Sequence, residues 1–257
     1  MAPFTGAHYA ALWNSLTVYP RPAEVMTRYV FGSGTYPYTC MVRTPLGTQE
    51  ILLGHADDLQ TVTEVFCRED YGAPPDVASV VDIGSNIGVS ALYFLTRNSH
   101  VRVHLFEPDL RNVARLRQNL AGFEARYELQ EGAVADHDGD VDFGIEETGR
   151  YGGIGIGRTG TIRVHCRNVN AVLDEALADI DELDILKIDA EGVEEAIVGA
   201  IRPDLLGRIK LLYFEVAEPI APLYDDLFEH SRRMQIERLQ RRSPRPTPQP
   251  RPASSVE

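Results

Sequence analysis

The densest chemistry in this chain lies at residues 183–194, where an apolar strand carrying Lys187 ends in Asp189, Glu191 and Glu194. A carboxylate at a strand mouth can take the proton from a hydroxyl held against it. Asp189 and Glu191 stand where a ligand crevice should open, and either can serve as base. Glu194 begins the next helix, where a carboxylate also complements the helix dipole. Lys187 is one of only two lysines against 23 arginines. A compact ammonium inside a sheet suits pairing with Asp189 or orienting an acceptor.

A second constellation lies upstream. Val80 and Val81 run into Asp82-Ile83-Gly84-Ser85-Asn86-Ile87-Gly88, and a helix pattern follows through Ala91, Leu92, Phe94 and Leu95. A strand that stops at a glycine turn and restarts as a helix presents backbone N–H groups to a ligand. The dinucleotide fingerprint needs Gly-x-Gly, and here Ser85 and Asn86 follow Gly84. An acidic Asp82 beside the turn suits an ammonium and a sulfonium better than a pyrophosphate. The spacing therefore reads as an S-adenosylmethionine (SAM) loop rather than an NAD loop. The next strand ends at Glu107-Pro108, about 20 residues on, where a carboxylate can accept both ribose hydroxyls. Pro108 cannot donate to a sheet, so the strand stops there and exposes Glu107. The third strand end, with Ala133 and Val134, is placed to cover one face of an adenine.

These blocks, with the strand ending at Phe214-Glu215, resemble the FkbM family of SAM-dependent methyltransferases. The likeness covers roughly residues 45–216, including a hairpin around Pro45-Leu46-Gly47 and a helix ending at Glu69-Asp70-Tyr71. It implies a class I, Rossmann-like methyltransferase fold and methylation of hydroxyls on sugars or polyketide-type natural products. Two departures stand out. Ser85 replaces the family's usual alanine. The family's closing β-hairpin is also missing from the pattern, because residues 223–242 read as a helix. On that reading either the sheet lacks its last hairpin or the N-terminal strands cover that edge, and an uncovered edge would be open to association with further copies into a homo-oligomer.

The elements needed to position these residues alternate as β and α from Val77 onward. That alternation gives an α/β, doubly wound, mostly parallel sheet with ligands at the carboxyl ends of its strands. Residues 1–35 read as an N-terminal cap or lid, with a short helix over 10–16. Residues 36–242 read as the methyltransferase domain, in which Asp57 N-caps one helix and Asn170 another. Residues 126–134 read as one strand, and 136–168 as a β-rich insertion with glycines at 152, 153, 155 and 157. Residues 243–257 read as a disordered Pro/Arg/Ser tail.

Composition narrows the partners. Residues 232–257 hold seven Arg and two Glu, so the rest of this chain of net charge −13 carries −18. Such a body repels phosphate backbones and argues against nucleic acid as acceptor. No apolar run approaches 18 residues, so neither a membrane span nor a membrane partner is expected. Three scattered cysteines fit a reducing cytoplasm and no zinc spacing. The expected partner is a small-molecule acceptor. The rivals are N-methylation of an amino sugar, an NAD-dependent dehydrogenase, and a non-catalytic SAM-binding protein. Asp189 and Glu215 could hold Mg²⁺ through hard oxygens, but no cluster of three ligands is visible, so the metal-free reading is preferred.

Overall fold

The structure, a computed structural model, describes residues 6–146, 149, 152–155, 159–216 and 224–242. The tail expected at 243–257, the first five residues, Leu223 and Gly157 lie outside the described residues. In chain order the elements are α1 (Gly6–Val18), α2 (Pro22–Phe31), β1 (Tyr38–Thr44), β2 (Gly47–Leu53), α3 (Ala56–Val62), β3 (Ser79–Ile83), α4 (Val89–Leu95), β4 (Arg102–Phe106) and α5 (Leu110–Asn119). There follow β5 (Tyr127–Gln130), β6 (Ala133–Ala135), β7 (Gly139–Ile145), β8 (Gly153–Ile154), β9 (Gly160–Asn168), α6 (Val169–Ala176), β10 (Leu183–Ile188), α7 (Glu194–Ala200), α8 (Pro203–Leu206), β11 (Ile209–Glu215), β12 (Phe228–Arg233) and β13 (Ile236–Arg241).

Seven strands form the main sheet in the order β12-β13-β11-β10-β3-β4-β5. The β5-β4-β3-β10-β11 block is parallel throughout, and β13 runs antiparallel between β11 and β12. This is a doubly wound α/β sheet. The strand order switches direction between β3 and β10, and in such sheets the ligand crevice opens at the carboxyl ends of the strands flanking that switch. Side chains alternate between two cores. One face packs Val80, Val103, Ile185 and Tyr213 against α4, α5 and the N-terminal elements. The other packs Val81, Leu186, Leu212 and Phe214 against α6, α7 and α8.

The closing hairpin is present, which corrects the helix expected over 223–242. Arg, Glu and Gln dominate this stretch, and all are good helix formers. Its two-residue connection, Met234-Gln235, has no glycine or asparagine, although Met234 takes the left-handed φ of 55° that such a turn needs. Apolar residues are sparse in its strands, only Phe228, Ile236 and Leu239 being buried there, and they do not alternate. Arg232 and Glu237 are directly opposed and lie 3.5 Å apart. The sheet is therefore not short of its last hairpin, and β12 forms the edge that β11 was expected to leave open.

Smaller corrections have local causes. Helix α3 is capped at His55, not Asp57, because the Asp58 carboxylate turns back onto the amides of Gly54 and His55 at 2.6 and 3.2 Å. Asn168, not Asn170, caps α6 by accepting from the Asn170 amide. The strand expected over 126–134 divides at Gly132. There a β-carbon would lie 2.8 Å from the His165 carbonyl oxygen, and the chain leaves the main sheet to join a second one, β6-β9-β7-β8. Helices α1 and α2 together fill most of the N-terminal segment, where only one short helix was expected. The hairpin β1-β2 pairs as read from the sequence, closing at Thr44 opposite Gly47.

Candidate functional site

A cleft of about 820 Å³ opens over the carboxyl ends of β3, β4, β10 and β11. Gly84, Ser85 and Asn86 line it from the first loop, Glu107 and Pro108 from the second, and Ala133 and Val134 from the start of β6. Lys187, Asp189 and Glu191 line it from β10 and the following loop. Asp82 and Gly88, also expected at the ligand, stand behind this wall.

Asp82 is fully buried and committed within the protein. One carboxylate oxygen accepts from Lys187 Nζ at 2.8 Å and the other from Ser90 Oγ at 2.6 Å. The register explains this pairing, since Lys187 and Asp82 lie opposite each other on adjacent strands and share a face. Lys187, 1% exposed, also donates to the Gly84 carbonyl at 2.9 Å and sits 3.5 Å from Asp189 Oδ2. Burial alone would pull its ammonium down, but Asp82 and then Asp189 outweigh it and hold Lys187 above its ordinary pKa. Burial pushes Asp82 up, with Lys187 and Ser90 acting against it. The pair stays formed, because neutralising either partner would strand the other in the core. The expected contact between Asp82 and a cationic ligand is thus corrected: its charge locks the loop to β10.

The loop amides are occupied as well. Gly84 N and Ser85 N both donate to the Phe106 carbonyl at 3.0 Å, and Gly88 N donates to the Ser85 carbonyl at 2.9 Å. Gly84 (φ +77°) packs on the backbone of Asp189, and Gly88 (φ +85°) on Leu116 of α5. Both glycines serve close backbone packing that brings β3, β10 and α5 together around the cleft.

Glu107 matches its expected place at the end of β4. Its Oε2 accepts from Asn86 N at 2.8 Å and its Oε1 from Asp109 N at 2.9 Å. Burial raises this carboxyl to about 7, with the Asp109 and Asn86 amides opposing the rise. Oε1 also accepts from Asn112 Nδ2 at 3.4 Å, and since each carboxylate oxygen has two lone pairs, the spare acceptor capacity is on Oε2.

Opposite Glu107 stand the carboxylates of β10 and β11. Ile188 pairs with Phe214, so Asp189 and Glu215 follow as lateral neighbours at the strand ends. Asp189 Oδ2 accepts from Tyr71 Oη at 3.2 Å, and Tyr71 itself packs edge-on against Tyr213. Burial and then Asp189, Glu191 and Glu194 push Glu215 up to about 8. Glu194 is a structural member of the acidic run: it accepts from the Ala190 and Gly192 amides at 3.0 and 2.8 Å. Glu191 lines the cleft with a left-handed φ of 45°. Among the described residues no group of three or more His, Cys, Asp or Glu is arranged to hold a metal ion.

Three residues of the cleft are not legible as site residues in the sequence: Tyr71, Arg68, and Glu215 other than as a metal ligand. Arg68 lines the same cleft with its guanidinium bound to both oxygens of Asp70 and 3.4 Å from Glu64. Among the described residues, both cations that line the cleft, Arg68 and Lys187, thus have carboxylate partners within the protein. The turn that leads into Arg68, Thr63–Cys67, is π-helical, a geometry frequent at functional sites. The only signal in the sequence was Glu69-Asp70-Tyr71 at a helix end.

Comparison with known proteins matches residues 82–238 to the Methyltransferase FkbM domain. The AMB antimetabolite synthetase AmbE of Pseudomonas aeruginosa is 25% identical over 192 residues, covering 60% of this chain and 9% of that protein. The 2-O-methyltransferase NoeI of Sinorhizobium fredii is 26% identical over 157 residues, covering 54% of this chain and 63% of that one. The chain therefore spans less than two thirds of either relative's length. Among solved structures, Methyltransferase FkbM from Methylobacillus flagellatus is 17% identical, covers 62% of this chain and 43% of that chain, and superposes with a TM-score of 0.39.

Proposed function

This chain belongs to the FkbM methyltransferase family, and on that premise we propose that it transfers a methyl group from SAM to a hydroxyl of a small-molecule acceptor, a sugar or polyketide-type natural product. The observation that carries the reading is one cleft in which Glu107 faces the cofactor side while Asp189, Glu191 and Glu215 gather on the other. The match of one relative to a named 2-O-methyltransferase supports oxygen over nitrogen as the target.

The residues present fit the cofactor. Glu107 would accept from the ribose hydroxyls, Ser85 and Asn86 would bound the amino-acid end, and Ala133 and Val134 would cover the base. With Lys187 and Arg68 already paired, the cleft offers net negative charge, which suits a cationic ligand. When bound, SAM supplies a methyl group on a sulfonium as the electrophile. The chain's own part is to align the acceptor oxygen and take its proton. Asp189, fixed by Tyr71 and Lys187, would receive the hydroxyl's hydrogen bond. Glu215 or Glu191 beside it would hold the released proton. Lys187 orients Asp189 rather than touching the acceptor. If a divalent ion takes part, Asp189 and Glu215 would supply its oxygen ligands.

We place the reaction in the cytoplasm. Cys40, Cys67 and Cys166 are free and buried, and among the described residues no helix is long and apolar enough to cross a membrane. The test is a screen of sugar and polyketide acceptors with SAM, read as one added methyl by mass. Products methylated only on nitrogen would move the target to amino sugars, and SAM binding without any transfer would favour a binding protein.

A further inference from the structure

A second groove, of about 560 Å³, adjoins the cleft on the hairpin side, and Asp70 and Ile236 line both. Its charge is the reverse of the cleft's. Arg97, Arg232, Arg233 and Arg238 line it, with Glu69 and Asp70 as its acids; Arg232 pairs with Glu237, and both Asp70 oxygens are already taken by Arg68. Arg97 lies over the Tyr93 ring, 4.2 Å from the ring centre, and its buried Nε has no hydrogen-bond partner. Arg238 has neutral partners, Tyr213 Oη at 3.2 Å and Gln240 Oε1 at 2.8 Å. Among the described residues neither Arg97 nor Arg233 has a carboxylate within ion-pair distance. In a chain of net charge −13, three guanidiniums without acid partners around one groove need an explanation. Planar guanidinium groups are suited to carboxylate, sulfate and phosphate oxygens.

The sheet sets the distance between the two sites. Glu215 pairs with Ile236, and Ile236 with Arg233. Arg233 thus stands two strand spacings from Glu215, roughly 10 Å, on the same face. A molecule whose reacting hydroxyl lies at Asp189 and Glu215 would cross Ile236 to reach the arginines.

We propose that this groove binds an oxyanion carried by the methyl acceptor, about 10 Å from the hydroxyl that is methylated. The acceptor is then a hydroxylated molecule with an acidic group at its far end, its reacting part uncharged. The groove itself is independent of the proposed methyl transfer, whereas its assignment to the acceptor rests on that reading.

The first experiment titrates inorganic phosphate into the full chain and into Arg97→Gln/Arg233→Gln, with SAM titrated in parallel as a check that the cleft is intact. Phosphate affinity should fall at least tenfold in the double variant while SAM affinity is unchanged. Equal phosphate affinity in both proteins, or no phosphate binding by the wild type, overturns the site. The second experiment compares paired acceptors that differ by one carboxylate or phosphate at that distance. A tenfold or greater preference in kcat/KM for the acidic member, lost in the double variant, supports the assignment to the acceptor. Equal use of both members overturns that assignment. So does stimulation of the neutral member by free phosphate, which would make the groove an effector site. Failure of SAM to bind would contradict the methyltransferase reading alone, and the phosphate titration would still judge the groove.

Discussion

Gly84 and Asp189 touch through their backbones: a β-carbon at residue 84 would lie 1.8 Å from the Asp189 carbonyl oxygen, and Gly84 already has a φ of +77°. The glycine of the first loop thus positions the carboxylate-bearing loop after β10. Gly84→Ala should destabilise the fold by about 3 kcal/mol or more, combining overpacking with backbone strain. Gly47 gives the comparison, since its φ is +99° but nothing lies within 4 Å of an added β-carbon. Gly47→Ala should cost only about 1–2 kcal/mol. Urea unfolding of both variants measures the difference, and equal losses would remove the packing role of Gly84.

The buried pair Lys187–Asp82 yields a second expectation. Lys187→Met leaves Asp82 with Ser90 alone and should cost about 3–5 kcal/mol. In a double-mutant cycle, Asp82→Asn combined with Lys187→Met should cost clearly less than the sum of the two singles. Additive losses would show that the two residues do not act as a pair.

A third expectation concerns the proton. Asp189→Asn should lower methyl transfer by about 10²–10⁴-fold while SAM still binds. Glu215 is raised to about 8, and its ionised form is the one that accepts a proton. If Glu215 is the base, kcat/KM rises as pH passes through about 8, and Glu215→Gln removes that limb. If Glu191 is the base instead, Glu191→Gln carries the loss and Glu215→Gln leaves the pH profile unchanged. EDTA should leave the rate unchanged; inhibition reversed by added Mg²⁺ would turn Asp189 and Glu215 into metal ligands.

The parts of the site legible in the sequence are those written within one loop. The turn after β3, Glu107 before a proline, and the carboxylates after β10 each sit where a local pattern ends a strand. The role of Asp82 was not legible, because Lys187 lies 105 residues away and meets it only through the β3–β10 register. The proton affinity of Glu215 likewise depends on Asp189 and Glu191 converging from another strand. The closing hairpin was hidden by its composition. Its opposed positions hold Arg232 and Glu237 rather than apolar residues, so the alternation that reveals a strand was absent. The break at Gly132 depends in the same way on a contact distant in sequence, the His165 carbonyl.

Calorimetric titration of SAM into wild type and Glu107→Ala decides whether the cleft binds SAM with Glu107 at the ribose. Since Glu107 is raised to about 7 and accepts best when ionised, wild-type affinity should increase from pH 6 to pH 8 and level off above. At pH 8 the variant should bind about 10- to 150-fold more weakly, the loss of roughly 1.5–3 kcal/mol expected for a hydrogen bond to a charged group, and its pH dependence should flatten. A folded wild-type protein that binds NAD and not SAM would exclude the methyltransferase reading, and equal SAM affinity in both proteins would remove Glu107 from the ribose.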